Sequence, residues 1–225
     1  MTISALLFDL DGTMVDTDAL HIAAYNDLLE RVGRVMDAGY YKAHVMGAPN
    51  DAIMQKLFPN GTSTEHDEFV SAKEARFRAS VGSLAPMPGL LAILDWADAN
   101  QIARAVVTNA PRDNAELMLR AIGVRDRFAH LVIGDELARG KPDPLPYLTG
   151  LRLTGSTAEE ALAFEDSLSG VRAAAAAGIE TIGLLTSLSE QTLRDAGANH
   201  VAHNFEDERF WKAIDAKANP GRIVK

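Results

Sequence analysis

The chain has 225 residues, 47% of them apolar and 24% charged, and its 22 Lys and Arg against 31 Asp and Glu give a formal net charge of −9. That length permits one large domain or two smaller ones, and the composition supports a packed core and excludes intrinsic disorder. The negative balance argues against a nucleic-acid partner, and the absence of cysteine removes disulfides, thiolate metal sites, iron–sulfur clusters and any cysteine nucleophile.

In chain order, Ile3–Phe8 is a short apolar run that stops at Asp9, as a buried parallel strand does. Four similar runs follow at Ile102–Val107, Leu131–Ile133, Ala161–Phe164 and Glu180–Leu184. Helical patterns separate them at Pro88–Asn100, Arg112–Ile122, Asp143–Leu151, Leu168–Ala177 and Ser189–Ala196. Strand then helix, repeated, predicts an α/β fold with a doubly wound, Rossmann-like parallel sheet. The alternation breaks between Asp16 and about Ser83, where only helical patterns occur, at Leu20–Val32, Ala52–Phe58 and Glu65–Ala79. A crossover needs only about a dozen residues, so residues 16–86 are expected to be an inserted α-helical cap domain. Residues 1–15 and 87–225 then form the α/β core, with Pro86-Met87-Pro88-Gly89 as the return linker. The N-terminal run lacks the flanks of a signal peptide, and no stretch approaches the roughly 20 apolar residues of a membrane span. A cytoplasmic protein with no membrane partner is therefore expected.

Ligands of open α/β sheets bind at the carboxyl ends of the strands. Here those ends carry Asp9-Leu10-Asp11-Gly12-Thr13, Thr108-Asn109 and Glu165-Asp166-Ser167, with Gly140-Lys141-Pro142-Asp143-Pro144 as a rigid turn at a helix start. Four carboxylates brought together repel one another unless a cation joins them, and hard oxygen ligands suit Mg²⁺. Lys141 and the turn amides after Asp9 supply positive potential for a phosphate, and Thr108 and Asn109 can donate to its oxygens. The set holds a nucleophile, an acid/base, a metal site and an anion clamp, the parts that phosphoryl transfer through an acyl phosphate needs.

The segments FDLDGTMVDTD at Phe8–Asp18, VVTNA at Val106–Ala110, GKPDP at Gly140–Pro144 and EDSLSGVRAAAAAG at Glu165–Gly178 resemble, in order, the motifs of the haloacid dehalogenase superfamily. The resemblance covers essentially the whole chain and is to the helical-cap branch, which holds phosphoglycolate phosphatases and β-phosphoglucomutase-like proteins. It implies that Asp9 is the nucleophile that becomes aspartyl phosphate and Asp11 the general acid and later base, with the Asp11 main-chain carbonyl on the metal. It implies Asp166 as the second carboxylate on Mg²⁺, with Glu165 in support, Thr108 and Lys141 as the phosphate-holding pair, and Asn109 beside them.

The same resemblance separates the branches. Dehalogenases and phosphonatases lack an acid two residues after the nucleophile, so Asp11 disfavours both. The mutases usually have valine where this chain has Thr13, and carry two cap-loop cations where this chain has Met46 and Asn50. His21 does match a histidine the mutases use near their acid/base. The expectation is a Mg²⁺-dependent phosphatase of a small phosphorylated metabolite, of the phosphoglycolate or sugar-phosphate class, working as a monomer or homodimer. The alternatives are a β-phosphoglucomutase-like phosphomutase and a non-catalytic binding protein on the same fold.

Blander readings apply elsewhere. His21 reads equally as a plain residue of the first cap helix, and Asn50, Tyr25, Met46 and Asp51 are placed on the cap side of the pocket by position alone. Lys73, Arg76 and Arg78 share one helix and are expected to form a solvated face. His200 and His203 have no acidic or histidine partner at ligand spacing and read as structural, and Trp96 and Trp211 are expected to be packing residues of core helices.

Overall fold

The computed structural model describes residues 3–219; the outermost residues assigned to the core, 1–2 and 220–225, lie outside that span. Six strands, β1 (Ala5–Phe8), β2 (Ala103–Thr108), β3 (His130–Ile133), β4 (Ala161–Glu165), β5 (Glu180–Leu184) and β6 (His200–Ala202), form one sheet. Its order is β3-β2-β1-β4-β5-β6 and every pairing is parallel. Five strands coincide with the apolar runs. The sixth was not expected, because three residues are too few to show a period.

All four residues of β1 are buried, so β1 reads as a continuous apolar run, yet its side chains divide between the two faces of the sheet. Leu6 and Phe8 join Val106, Phe164, Phe205 and Phe210 in one cluster, under the helices α5 (Leu90–Ala99), α6 (Arg112–Ala121) and α10 (Glu208–Ala218). Trp96 and Trp211 meet each other edge to face and pack against that cluster. Ala5 and Leu7 face the other way, with Ala105, Ala161 and Ala163. That alanine-rich face receives α7 (Leu145–Thr154) and α8 (Leu168–Ala176), with α9 (Glu190–Ala196) beside α8. Ala173, Ala174 and Ala177 lie in it, so the alanine run serves close helix–sheet packing.

Between β1 and α5 lie four helices, α1 (Asp18–Leu29), α2 (Ala38–His44), α3 (Asn50–Leu57) and α4 (Ser63–Ser80). They surround an apolar centre of their own, made of Tyr25, Leu29, Met36, Tyr41, Val45, Ile53, Met54 and Leu57. Ala24 and Phe77 pack instead into the main core and seat the insertion on the sheet. A capping box starts α4, with Thr62 and Glu65 each satisfying the other's amide. Helix α2 was not expected; it is short, contains Gly39, and starts where the Asp37 side chain accepts from the Tyr40 amide. The return linker is pinned: the Met87 amide donates to the Met14 carbonyl, and a Cβ on Gly89, at φ +80°, would come within 2.5 Å of the Phe205 carbonyl carbon. No helix among the described residues is long and apolar enough to cross a membrane.

Strand β1 has β2 on one side and β4 on the other, so the strand order reverses beside it. The register sets Phe8 level with Val106 and Phe164. One or two residues further on, Asp9, Thr108 and Glu165-Asp166 therefore stand together at its carboxyl edge, where such sheets bind ligands.

Candidate active site

At that edge the Lys141 Nζ donates to Asp9 Oδ1 at 2.6 Å and to Glu165 Oε1 at 2.5 Å. Tyr147 donates its hydroxyl to the same Glu165 oxygen at 2.9 Å. The other oxygen, Oε2, accepts from the Asp166 and Ser167 amides and the Ser167 hydroxyl. Glu165 is wholly buried with both oxygens engaged, and so acts as a brace for Lys141. The glycine of Ser167-Leu168-Ser169-Gly170 is required by that brace, because a Cβ on Gly170 would lie 1.7 Å from Glu165 Oε1. Burial alone would pull Lys141 down, but Asp9 and Glu165 hold its ammonium above the usual lysine range.

Asp9, Glu165 and Asp166 each offer a carboxylate oxygen within 4.8 Å of the others, and all three are buried. Asp166 Oδ1 accepts from the Thr13 hydroxyl at 3.2 Å, whereas Asp166 Oδ2 is buried with no hydrogen-bond partner. Gly12, at φ +76°, leaves room for that oxygen, since a Cβ there would lie 2.1 Å from it. A buried acceptor without a donor is costly unless something else satisfies it, and a cation does. Burial first, then Glu165, raises Asp9 to about 8 against the pull of Lys141. Burial, Asp9 and Glu165 raise Asp166 far above the carboxylate range. These residues fit a hard divalent metal by donor chemistry and by uncompensated charge.

The Asp11 side chain lies apart from that cluster, so three carboxylates meet at this edge and not four. Its Oδ1 accepts from the Thr17 hydroxyl at 2.5 Å and meets His21 Nε2 at 3.1 Å. The other imidazole nitrogen, Nδ1, is 2.8 Å from Lys73 Nζ. An ammonium only donates, so Nδ1 accepts, and Nε2 carries the proton given to Asp11. The His21 ring stacks on Phe77 with centroids 4.1 Å apart. Burial would raise Asp11, but His21, Thr17 and Lys73 together hold it below the usual range.

The expected solvated face of α4 is overturned. Lys73 is 4% exposed, pairs with Glu74 Oε1 at 3.0 Å and lines the cavity. Glu74 Oε2 accepts from the Asn114 amide of α6 at 2.6 Å, and Arg78 donates to Asn114 Oδ1 at 2.9 Å. Arg76 pairs with Asp27 of α1. The physical reason is that α4 lies between α1 and the core, so the stripe read as outward spans two packed surfaces. His200 does have an acidic partner, though not along the chain: its Nε2 lies 2.8 Å from Glu180 Oε1 on the neighbouring strand, a structural contact between β5 and β6.

Thr108 is buried and its Oγ1 accepts from the Ala110 amide at 3.0 Å, which leaves its proton to give. Asn109 does not point at the same oxygens. Its Nδ2 donates to the Lys141 and Gly47 carbonyls at 3.1 and 3.2 Å, and its Oδ1 accepts from the Lys141 amide, so it is a strut. The Gly47 carbonyl also accepts from the Ser169 hydroxyl at 2.5 Å, which ties the insertion to two core loops. Asp9, Asp11, His21, Asn50, Thr108, Asn109 and Lys141 all line one cavity of about 80 Å³ between insertion and core. Tyr25 and Met46 line it too, whereas Asp51 does not. Thr13, Thr17, Tyr147, Ser167, Lys73 and Glu74 were not singled out for the site. Only Lys73 left a trace, at helical spacing from the buried Phe77.

Comparison with known proteins follows the same lines. The chain is 32% identical over 200 residues to the phosphorylated carbohydrates phosphatase of Thermotoga maritima, covering 86% of this chain and 91% of that protein. It is 30% identical over 220 residues to a phosphoglycolate phosphatase of Rhodospirillum rubrum, covering 92% and 90%. The crystal structure of CbbY from Rhodobacter sphaeroides in complex with phosphate superposes with a TM-score of 0.80 at 30% identity, over 90% of this chain and 95% of that one. The model of the haloacid dehalogenase-like hydrolase family matches residues 6–184, and the chain belongs to that family.

Proposed function

We propose that the protein is a Mg²⁺-dependent phosphatase that hydrolyses a small phosphorylated metabolite through an aspartyl-phosphate intermediate on Asp9. The observation that carries this reading is the placing of the Asp9 carboxylate in the cavity, with Lys141 against it and Asp11, held by Thr17 and His21, two residues on. Residues 16–86 act as the cap domain, and residues 1–15 with 87–225 as the core. Asp9, Asp166 and the Asp11 carbonyl would hold Mg²⁺, with Glu165 behind them. When bound, the ion offsets the carboxylate repulsion, keeps Asp9 ionised and polarises the phosphoryl oxygens.

The chain's own residues then do the following. Asp9 Oδ attacks phosphorus, and the bond from phosphorus to the ester oxygen breaks. Asp11, protonated when the ester binds against it, gives its proton to that oxygen, so the organic body leaves as an alcohol; the ionised form that His21 and Thr17 favour is the one that serves the second step. In the second step Asp11 takes a proton from water, whose oxygen attacks phosphorus and releases Asp9 and inorganic phosphate. Lys141 and the Thr108 hydroxyl hold the phosphoryl oxygens. The insertion keeps bulk water out during the first transfer.

The relatives named as phosphatases support hydrolysis, and the absence of cations at Met46 and Asn50 weighs against a bisphosphate intermediate. The contact between His21 and Asp11 is the one observation favouring a phosphomutase. A panel of monophosphates, assayed for free phosphate with Mg²⁺ or EDTA, tests the choice. Release that needs Mg²⁺ and disappears in Asp9→Asn is expected. Retained release in Asp9→Asn defeats the mechanism, and isomerisation of β-glucose 1-phosphate with a bisphosphate primer, without phosphate release, favours the mutase.

A further inference from the structure

Only two lysine or arginine side chains line the cavity among the described residues, Lys141 from the core and Lys73 from the insertion. Lys141 lies against Asp9, at the reacting end. Lys73 is the one full positive charge on the wall that would face the organic body of a substrate. That charge is not free. Glu74, its neighbour in sequence, lines the same cavity and holds the ammonium at 3.0 Å.

Glu74 is itself fixed. Its second oxygen takes the Asn114 amide at 2.6 Å, and Asn114, wholly buried on α6, is gripped at its other end by Arg78. The carboxylate therefore cannot swing away to release Lys73 while the insertion sits on the core.

We infer that Glu74 is a specificity-determining residue, which cancels Lys73 and so restricts the site to monophosphates whose organic body carries hydroxyls and no second anion. This rests on the phosphatase reading for the reaction but concerns which body is accepted. A carboxylate or second phosphate on the body would meet a spent cation and the Glu74 charge beside it, both in a site of low dielectric. A hydroxyl can donate to Glu74 or accept from Lys73 without disturbing their pairing.

The test is a matched pair that differs only in the body, 2-hydroxyethyl phosphate and 2-phosphoglycolate. Their dissociation constants are measured with Mg²⁺ on the Asp9→Asn protein, where nothing turns over. The hydroxyl compound should bind more tightly, and adding Glu74→Gln should move the ratio of constants about tenfold towards phosphoglycolate. Glu74→Asp should keep the original preference. Asn114→Ala, which loosens the insertion without removing the charge, should weaken both ligands by a similar factor. Should Glu74→Gln fail to fold, Lys73→Gln carries the same test in the opposite sense, because the discrimination against phosphoglycolate must widen. Tighter binding of phosphoglycolate in the starting protein, or a ratio that Glu74→Gln moves less than about twofold, overturns the inference. Turnover of the two compounds by the unmodified protein is read separately. Release from neither of these nor from any of the monophosphate panel defeats the hydrolase reading and leaves the binding ratio to decide the role of Glu74.

Discussion

The two walls of the cavity are each built around a buried lysine, and the two lysines are held differently. Lys141, on the core wall, lies between two carboxylates, and its ammonium is held above the usual range. Lys73, on the insertion wall, has one carboxylate and a neutral imidazole nitrogen, and burial prevails to push it below the usual range. A buried cation is secured by the number of opposite charges it touches, and the difference between one and two reverses the direction of the shift. The core wall is thus a rigid charge assembly, whereas the insertion wall is close to neutral.

The comparison can be broken most severely at Lys141. Lys141→Met leaves Asp9 and Glu165 buried without a cation and is expected to cost about 3–5 kcal/mol in denaturant unfolding. Its turnover should fall by about 10²–10³-fold or more. The next effect is that of metal. Mg²⁺ at a hundred times its dissociation constant should stabilise the protein by about 2.7 kcal/mol, and Asp166→Asn should abolish that gain.

Metal also sets the pH dependence. Asp9 and Asp166 are raised in the folded protein above the ordinary carboxylate value of 3.8, so between about pH 4 and 8 the folded state binds more protons than the unfolded one. In EDTA, stability should therefore fall as pH rises through that window. Saturating Mg²⁺ should flatten the slope, as unfolding midpoints at pH 5 to 8 would reveal; an unchanged slope removes the electrostatic account of the cluster.

Lys73→Met should cost less than Lys141→Met, about 1–2 kcal/mol, because Glu74 keeps the Asn114 amide. Equal losses at the two lysines would erase the contrast between the walls. The smallest change is Thr13→Val, which removes one donor to Asp166 and should cost about 1 kcal/mol, with a few-fold loss of Mg²⁺ affinity measured by titration.

The core wall was legible in the sequence because each of its parts is a short contiguous segment with its own turn chemistry. Asp9 to Thr13, Lys141 to Pro144 and Glu165 to Gly170 each follow an apolar run or start a helix, and the parallel sheet brings such ends together without further information. Of the insertion wall, His21, Asn50, Tyr25 and Met46 were placed by position, but its charged part was not legible. Lys73 reaches His21 across 52 positions and Glu74 reaches Asn114 across 40. A lysine and a glutamate side by side on a charged helix read as a solvated stripe until the helix is docked. Asn109 shows the same limit within the core: its place at a strand end was readable, but the two carbonyls that occupy its amide belong to other loops. Strand β6 and helix α2 were missed for want of length.

The Gly47 carbonyl, which accepts from both Asn109 and Ser169, has a kinetic meaning. The cavity lies between insertion and core, and those two bonds hold the insertion down over the ends of β2 and β4. At about 0.5–1.5 kcal/mol each, the pair alone sets an open population of roughly 0.5–15%. If substrate and product pass only when the insertion lifts, each turnover draws on that minor population twice. One backbone oxygen on the insertion thereby places a ceiling on how fast the buried chemistry beneath it can be used.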